Sequence, residues 1–196
     1  MNLAATDPKL SQDPSKWLKN YYFTRFAFSA VWVAAAFTVA KTNPPLAAIL
    51  LIVYPAWDAA ANFVDARRSG GLSNNKSQLL NFVFSVLTAV AVAIALGHSL
   101  FAVIGVFGVW AFFAGLFQLV TAVRRWKSVG AQWAMILSGA QSMLAGGFML
   151  TVANGTKPVS IADIAPYAAF GAFYFLVSSL WLLVGDARRR AAATAA

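Results

Sequence analysis

Cysteine and glutamate are both absent from this 196-residue chain, and histidine occurs once, at His98. Without cysteine the chain can form no disulfide, no thiolate metal site and no cysteine nucleophile. With one histidine, it cannot supply a bis-histidine haem site or a multi-histidine zinc site by itself. No glycine-rich phosphate loop or metal-binding motif occurs either. We therefore expect no catalytic residues, no metal site and no cofactor.

Charged residues are also scarce: they make up 11% of the chain, whereas 60% of it is hydrophobic. A soluble domain carries about 25% charged residues, and a water-soluble fold could not cover this much apolar surface. Short polar breaks separate six apolar segments, each long enough to cross a bilayer. These segments are approximately 17–40, 44–66, 77–97, 100–123, 129–152 and 161–185. The pattern predicts an all-α integral membrane bundle of six transmembrane helices, arranged as three tandem helical hairpins.

The polar ends of the chain complete the predicted domain organisation. Residues 1–16 form a polar N-terminal cytoplasmic segment, residues 17–187 the six-helix transmembrane domain, and residues 188–196 a basic, then alanine-rich cytoplasmic tail. We expect no cleaved signal peptide, because acids precede a first apolar segment of full spanning length. Asp13 followed by Pro14 predicts the start of the first helix, since these residue types favour the N-cap and the first helical position.

The basic residues divide unequally between the two sides of the predicted bundle. Lys41 and Lys157 lie on one side. The other side carries Lys9, Lys16, Lys19, Arg67, Arg68, Lys76, Arg124, Arg125, Lys127, Arg188, Arg189 and Arg190. Because basic residues resist translocation, this asymmetry predicts that both termini are cytoplasmic. The net charge of +9 therefore indicates membrane topology, and we expect no nucleic-acid partner.

Arg25 and Asp58 are ionisable residues inside predicted spans, at equal distances from a turn near residues 41 and 42. The first hairpin would place them at matching depth, where an unpaired ion is costly. Their pairing would be either a structural salt bridge or a proton- or solute-linked polar site that includes Asn62. Alternatively, one or both side chains extend to the interface. Pro55, one turn before Asp58, favours a functional site, although proline is ordinary in membrane helices.

Further polar residues inside the spans are Asn81, Gln118 and Gln141. They would either line a polar pocket on the cytoplasmic side or form hydrogen bonds between helices. His98 lies at the predicted turn between the third and fourth spans. Histidine is the residue type that proteins use most to sense pH near neutrality, so His98 would be either an external pH sensor or an incidental turn residue.

Two segments carry a resemblance to a known family. Phe107 to Gln118, followed by Arg124-Arg125, is similar to the even-helix repeat of the HdeD-like acid-resistance membrane proteins, which are short-repeat proteins of unknown function. Ser138 to Phe148 resembles the odd-helix repeat, in which small residues recur along an apolar helix. The resemblance implies six helices in the bacterial inner membrane and a link to acid stress. It supplies no established catalytic residues.

These observations support two hypotheses. The first is an integral inner-membrane protein without catalytic activity, linked to acid stress or to the envelope. The alternative is a small transporter or channel with a polar site at Arg25, Asp58 and Asn62. Membrane lipids are the expected partners, and self-association into a homo-oligomer is compatible with the small size of the bundle. The sequence does not identify a soluble partner.

Overall fold

A computed structural model describes residues 14–68, 70–124 and 132–194, and within these ranges the chain is entirely helical apart from turns. It forms six α-helices, joined in three places by single turns of 3-10 helix. The helices are α1 (Pro14–Phe37), α2 (Pro44–Arg68), α3 (Lys76–Ala95), α4 (Leu100–Arg124), α5 (Gln132–Ala153) and α6 (Ala165–Thr194). Most of the predicted N-terminal segment, Arg125, Lys127 and the predicted start of the fifth span lie outside the described residues.

Five of these helices are long and apolar enough to cross a membrane: Pro44–Arg68, Lys76–Ala95, Leu100–Val120, Ile136–Ala153 and Ala165–Arg189. Large apolar side chains such as Leu144 and Phe148 are exposed, which suits contact with lipid chains. The prediction of an α-helical membrane bundle is therefore confirmed. Helix α1 is not among the five, and its crossing stays a prediction.

Helix ends fall at the polar breaks for identifiable reasons. Helix α1 begins at Pro14, as predicted. The Asn43 side-chain oxygen accepts a hydrogen bond from the Leu46 backbone N–H at 3.1 Å, which caps α2 in front of Pro44. The Ser99 hydroxyl accepts one from the Ala102 N–H at 3.1 Å and caps α4 in the same way. These side chains fix the turn positions and hence the residues at each depth.

The chain divides into two compact units. In the first, which contains residues 14–30 and 170–194, charged groups join the start of α1 to the end of α6. Lys19 Nζ lies 3.8 Å from a carboxylate oxygen of Asp186, and Arg189 pairs with the same carboxylate. Asp186 is only 7% exposed, so these cations offset the cost of burying its charge.

In the second unit, which spans residues 31–169, α4 and α5 approach most closely along four glycines. We call Gly108, Gly115, Gly139 and Gly146 the glycine interface. A Cβ atom added to Gly115 would lie 2.5 Å from the Gly139 carbonyl oxygen, and one added to Gly146 would lie 2.6 Å from that of Gly108. The helices therefore meet backbone to backbone, as small residues allow in membranes. A Cβ atom added to the neighbouring Gly147 would meet no packed atom within 4 Å.

Candidate functional site

The carboxylate of Asp58, on α2 in the second unit, is the centre of a hydrogen-bonded network. The Asn62 amide donates to Asp58 Oδ2 at 2.9 Å and to the Asp58 backbone carbonyl at 2.8 Å. The Ser85 hydroxyl, on α3, donates to the same Oδ2 at 2.7 Å. Because Asp58 and Asn62 are four residues apart, one helical turn places both side chains on the same face of α2.

A third helix joins through Ser85. The Trp110 indole N–H, on α4, donates to the Ser85 hydroxyl oxygen at 3.2 Å. A hydroxyl has one hydrogen and two lone pairs, so Ser85 accepts from Trp110 while it donates to Asp58. Ser85 is 1% exposed and Trp110 is 4% exposed. We call Asp58, Asn62, Ser85 and Trp110 the polar network; it links α2, α3 and α4 inside the bundle.

Aromatic rings surround the Trp110 end of the polar network. The ring of Tyr54 lies edge-on to Trp110 with centroids 6.0 Å apart, and Tyr167 makes a T-shaped contact at the same distance. Phe107 adds another T-shaped contact at 5.8 Å. These rings cover the indole with apolar surface, which holds its N–H group in a fixed direction toward Ser85.

Trp32, near the end of α1, connects this aromatic cluster to the backbone of α2. Its ring lies 4.7 Å from that of Tyr54, and its indole N–H donates to the Leu50 carbonyl at 2.8 Å. Pro55, which is buried inside α2, lacks the backbone N–H that would donate the helical hydrogen bond to the Leu51 carbonyl. Trp32 therefore binds α2 beside the point where its helical hydrogen bonding is interrupted.

A second polar contact joins α2 to α3 nearer the ends of these helices. The Gln78 amide donates to Asp65 Oδ2 at 3.3 Å. The contact lies outside the polar network and one turn before α2 ends at Arg68. Two separate polar contacts therefore set the register between α2 and α3.

Arg25, the predicted partner of Asp58, belongs to the first unit. Its guanidinium carbon lies 4.3 Å from the centroid of the Phe175 ring, and its Nη1 donates to the Tyr21 hydroxyl at 3.2 Å. A cation over an aromatic face is stabilised by the ring quadrupole. Asp58 lies in the second unit, and the Arg25–Asp58 ion pair stays a prediction.

The remaining predicted site residues occupy separate helices. Asn81 lies on α3, Gln118 on α4 and Gln141 on α5, and each is partly exposed. Their common polar pocket stays a prediction. His98 is exposed in the turn between α3 and α4, where its backbone N–H donates to the Ala95 carbonyl at 2.9 Å. Its role as a pH sensor also stays a prediction.

Sequence reasoning missed Ser85 and Trp110. Their positions carry a signal, because both lie almost equally far from the turn at His98 and therefore at one depth. The ring contacts of Phe84 with Phe113 and Phe117, at 5.6 and 5.4 Å, follow the same register. Matching every polar side chain in α3 to an indole or amide in α4 would have found the pair.

The residues of the polar network can support few kinds of chemistry. Asp58 is the titratable member of the network, and the Asn62 amide and the Ser85 hydroxyl donate to that carboxylate. Among the described residues, no group of three or more His, Cys, Asp and Glu could hold a metal ion. The arrangement is suited to joining helices by hydrogen bonds, or to exchanging a proton or cation at one carboxylate.

Residues 83–151, which contain Ser85, Trp110 and the glycine interface, match the family described as a short repeat of unknown function (DUF308). No curated protein and no solved structure matches the chain. The match covers α4, α5 up to Thr151 and all but the first residues of α3, and it leaves α1, α2 and α6 outside. The helices of this chain are those of a multi-pass membrane protein, and its central segment is similar to the DUF308 short repeat.

Proposed function

We propose that this chain is an integral inner-membrane protein without catalytic activity, which supports the envelope and its resistance to acid. The HdeD-like resemblance supports the acid-stress role. The single observation that carries the non-catalytic role is the chain of hydrogen bonds from Trp110 through Ser85 to Asp58. The buried residues Ser85 and Trp110 are hydrogen-bonded to each other, and Ser85 is also hydrogen-bonded to Asp58. Such mutual bonding is typical of a structural contact between helices.

Substitution of Asp58 tests this role in purified protein. Asp58→Asn removes the charge and places an NH₂ group beside other donors, so we expect a lower yield of folded protein. We expect proton flux through proteoliposomes to match that of the wild type at equal amounts of folded protein. Asp163→Asn is the matched control. This carboxylate is exposed and accepts a capping hydrogen bond from the Ser160 N–H, which an asparagine oxygen can also accept, so both yield and flux should stay unchanged.

A survival assay tests the acid-stress role. In a bacterial host that lacks its own copy, expression of the wild-type chain should raise survival after acid challenge. Asp58→Ala should lose this protection in proportion to the loss of folded protein in the membrane. Survival equal to that of the empty vector, with wild-type protein folded in the membrane, would contradict an acid-stress role.

Transport is the second candidate, and Pro55 is the observation that favours it. Proline weakens α2 one turn before Asp58, and a weakened helix beside an intramembrane carboxylate can open a path for a proton or solute. For this function, Asp58→Asn should abolish flux while folded yield stays normal. The two candidates therefore predict opposite results from one variant.

The topology is part of the proposal. With both termini in the cytoplasm, reporter fusions at Gly70 and after Thr194 should report the cytoplasm, and a fusion at Gly155 should report the periplasm. A periplasmic signal from the Gly70 fusion would overturn the orientation.

Crosslinking in native membranes at increasing expression levels would test the homo-oligomer, which should give a defined band rather than a concentration-dependent ladder.

A further inference from the structure

The connection between α2 and α3 concentrates basic side chains at one end of the second unit. Arg67 and Arg68 end α2, and Lys76 begins α3. All three side chains are exposed. We call these three residues the basic end. The hydrogen bond between Asp65 and Gln78 joins the two helices one turn inside it, so the three cations share one end of this helix pair.

Hydrogen bonds within the connection hold the basic end together. The Asn74 amide donates to the Gly70 carbonyl at 2.8 Å, and the Asn75 amide donates to the Gly71 carbonyl at 2.9 Å. The Gly71 N–H donates to the Ala66 carbonyl at 2.8 Å, with Gly71 at a φ of 92° that glycine adopts easily. These bonds tie Gly70 and Gly71 to the asparagines before α3, and Gly71 to the last turn of α2.

Apolar side chains continue the surface toward the middle of the bundle. Phe63, Val64 and Leu80 lie within two turns of the helix ends and are 36%, 42% and 46% exposed. The Arg67 guanidinium carbon lies 5.7 Å from the centroid of the Phe63 ring. Cations at the helix end with exposed apolar groups immediately inside match the two parts of a phospholipid, a phosphate headgroup and its acyl chains.

We propose that the basic end binds the headgroup phosphate of an anionic phospholipid, whose acyl chains lie along Phe63, Val64 and Leu80. Charge complementarity selects anionic over zwitterionic lipids, because a choline headgroup brings its own cation close to the phosphate. Arginine suits this role because its planar fork can donate two hydrogen bonds to one phosphate. The inference goes beyond the structural role of the polar network and does not depend on it.

A matched pair of double variants tests the proposal. Arg67→Gln with Lys76→Gln removes two cations from the basic end. Lys41→Gln with Lys157→Gln removes two exposed lysines from connections at the opposite ends of the helices. Binding of phosphatidylglycerol to each protein, in neutral detergent, is measured by native mass spectrometry alongside binding of phosphatidylcholine.

We expect the first double variant to lose roughly 30-fold in phosphatidylglycerol affinity, since each interfacial cation contributes about fivefold. The second double variant should bind as the wild type does, and no variant should change phosphatidylcholine binding. Equal losses in both variants, or no preference of the wild type for phosphatidylglycerol, would overturn the proposal.

Two further measurements distinguish the lipid from other sources of phosphate and from misfolding. Inorganic phosphate at matched ionic strength should not displace the bound phosphatidylglycerol; displacement would point to a free-phosphate site and overturn the lipid assignment.

Should the first double variant not fold, the wild type alone provides the test. Its preference for phosphatidylglycerol should fall steeply as salt rises from 0.1 to 1 M, because the Debye length shortens from about 10 to about 3 Å. A salt-independent preference would contradict the proposal.

Discussion

The glycine interface and the polar network join neighbouring helices by opposite means. Between α4 and α5, close contact depends on the lack of a side chain at glycine, because a single Cβ at Gly115 or Gly146 would lie within 2.6 Å of a backbone oxygen. Between α2, α3 and α4, contact depends on particular donors and acceptors, with Ser85 bonded on both sides. Lipid offers little hydrophobic driving force between helices, so close backbone packing and hydrogen bonds are the two available sources of specificity.

The two regions should therefore fail differently. Added volume should disrupt the glycine interface, where a hydrogen bond from the Ser142 hydroxyl to the Ala111 carbonyl, at 2.9 Å, accompanies the close backbone packing. The polar network should respond to loss of hydrogen-bonding groups even when volume is preserved.

Gly146→Leu should have the largest effect. Its Cβ would lie 2.6 Å from both the Gly108 carbonyl oxygen and the Phe112 nitrogen, and two packed backbones cannot move apart locally. We expect a loss of about 3 kcal/mol or more in the free energy of unfolding, the upper part of the range for overpacking. Gly147→Leu is the adjacent control and should be neutral or slightly stabilising, because nothing lies within 4 Å of its Cβ position. Equal losses in both variants, measured by thermal unfolding in nanodiscs, would refute the close approach.

Asp58→Ala should have the next largest effect. It removes the acceptor shared by Asn62 and Ser85 and leaves buried donors without their partner, which costs about 1–3 kcal/mol. Thermal unfolding in the same nanodiscs measures the loss. A stability equal to that of the wild type would show that the polar network does not hold the helices together.

Ser85→Ala and Trp110→Phe should together show a smaller, coupled effect. Each removes the indole–hydroxyl bond, so the double variant should cost less than the sum of the two single variants. We expect a coupling energy of about 0.6 kcal/mol, the average for hydrogen bonds between membrane helices. Additive losses in this double-mutant cycle would mean that the 3.2 Å contact contributes no stability.

Gln78→Leu should have the smallest effect. Its hydrogen bond to Asp65 is 3.3 Å long, and both residues are partly exposed, so water can replace the lost donor. We expect a loss of at most about 0.5 kcal/mol, which is typical of an accessible hydrogen bond. A loss as large as that of Asp58→Ala would place the main link between α2 and α3 at this end instead of at the polar network.

The sequence predicts the helices and their ends well, because both are local properties. Pro14, Asn43 and Ser99 act on the first turn of their own helices. Close packing at Gly146 was also predictable from the small residues around it, although the sequence does not distinguish Gly146 from Gly147. That distinction depends on how α5 is rotated about its axis, and an almost uniformly apolar helix carries little information about its rotation.

Contacts between distant parts of the chain were beyond sequence reasoning. Lys19 meets Asp186 across nearly the whole length of the chain, and no local pattern relates them. Asp58 was recognised as a site residue because a carboxylate inside an apolar helix needs a partner. Ser85 and Trp110 do not stand out by residue type, because serine and tryptophan are ordinary in membrane helices; their nearly equal distance from the turn at His98 is the signal that relates them.

Hydrogen exchange at the Trp110 indole N–H tests the structural role of the polar network most directly. In nanodiscs, a water-filled path to Asp58 would pass beside this proton, whereas a dry contact would protect it. We predict an indole signal that exchanges with D₂O over hours and shifts in the Ser85→Ala variant. Exchange within seconds, with no shift in that variant, would contradict a closed hydrogen-bonded contact and favour transport.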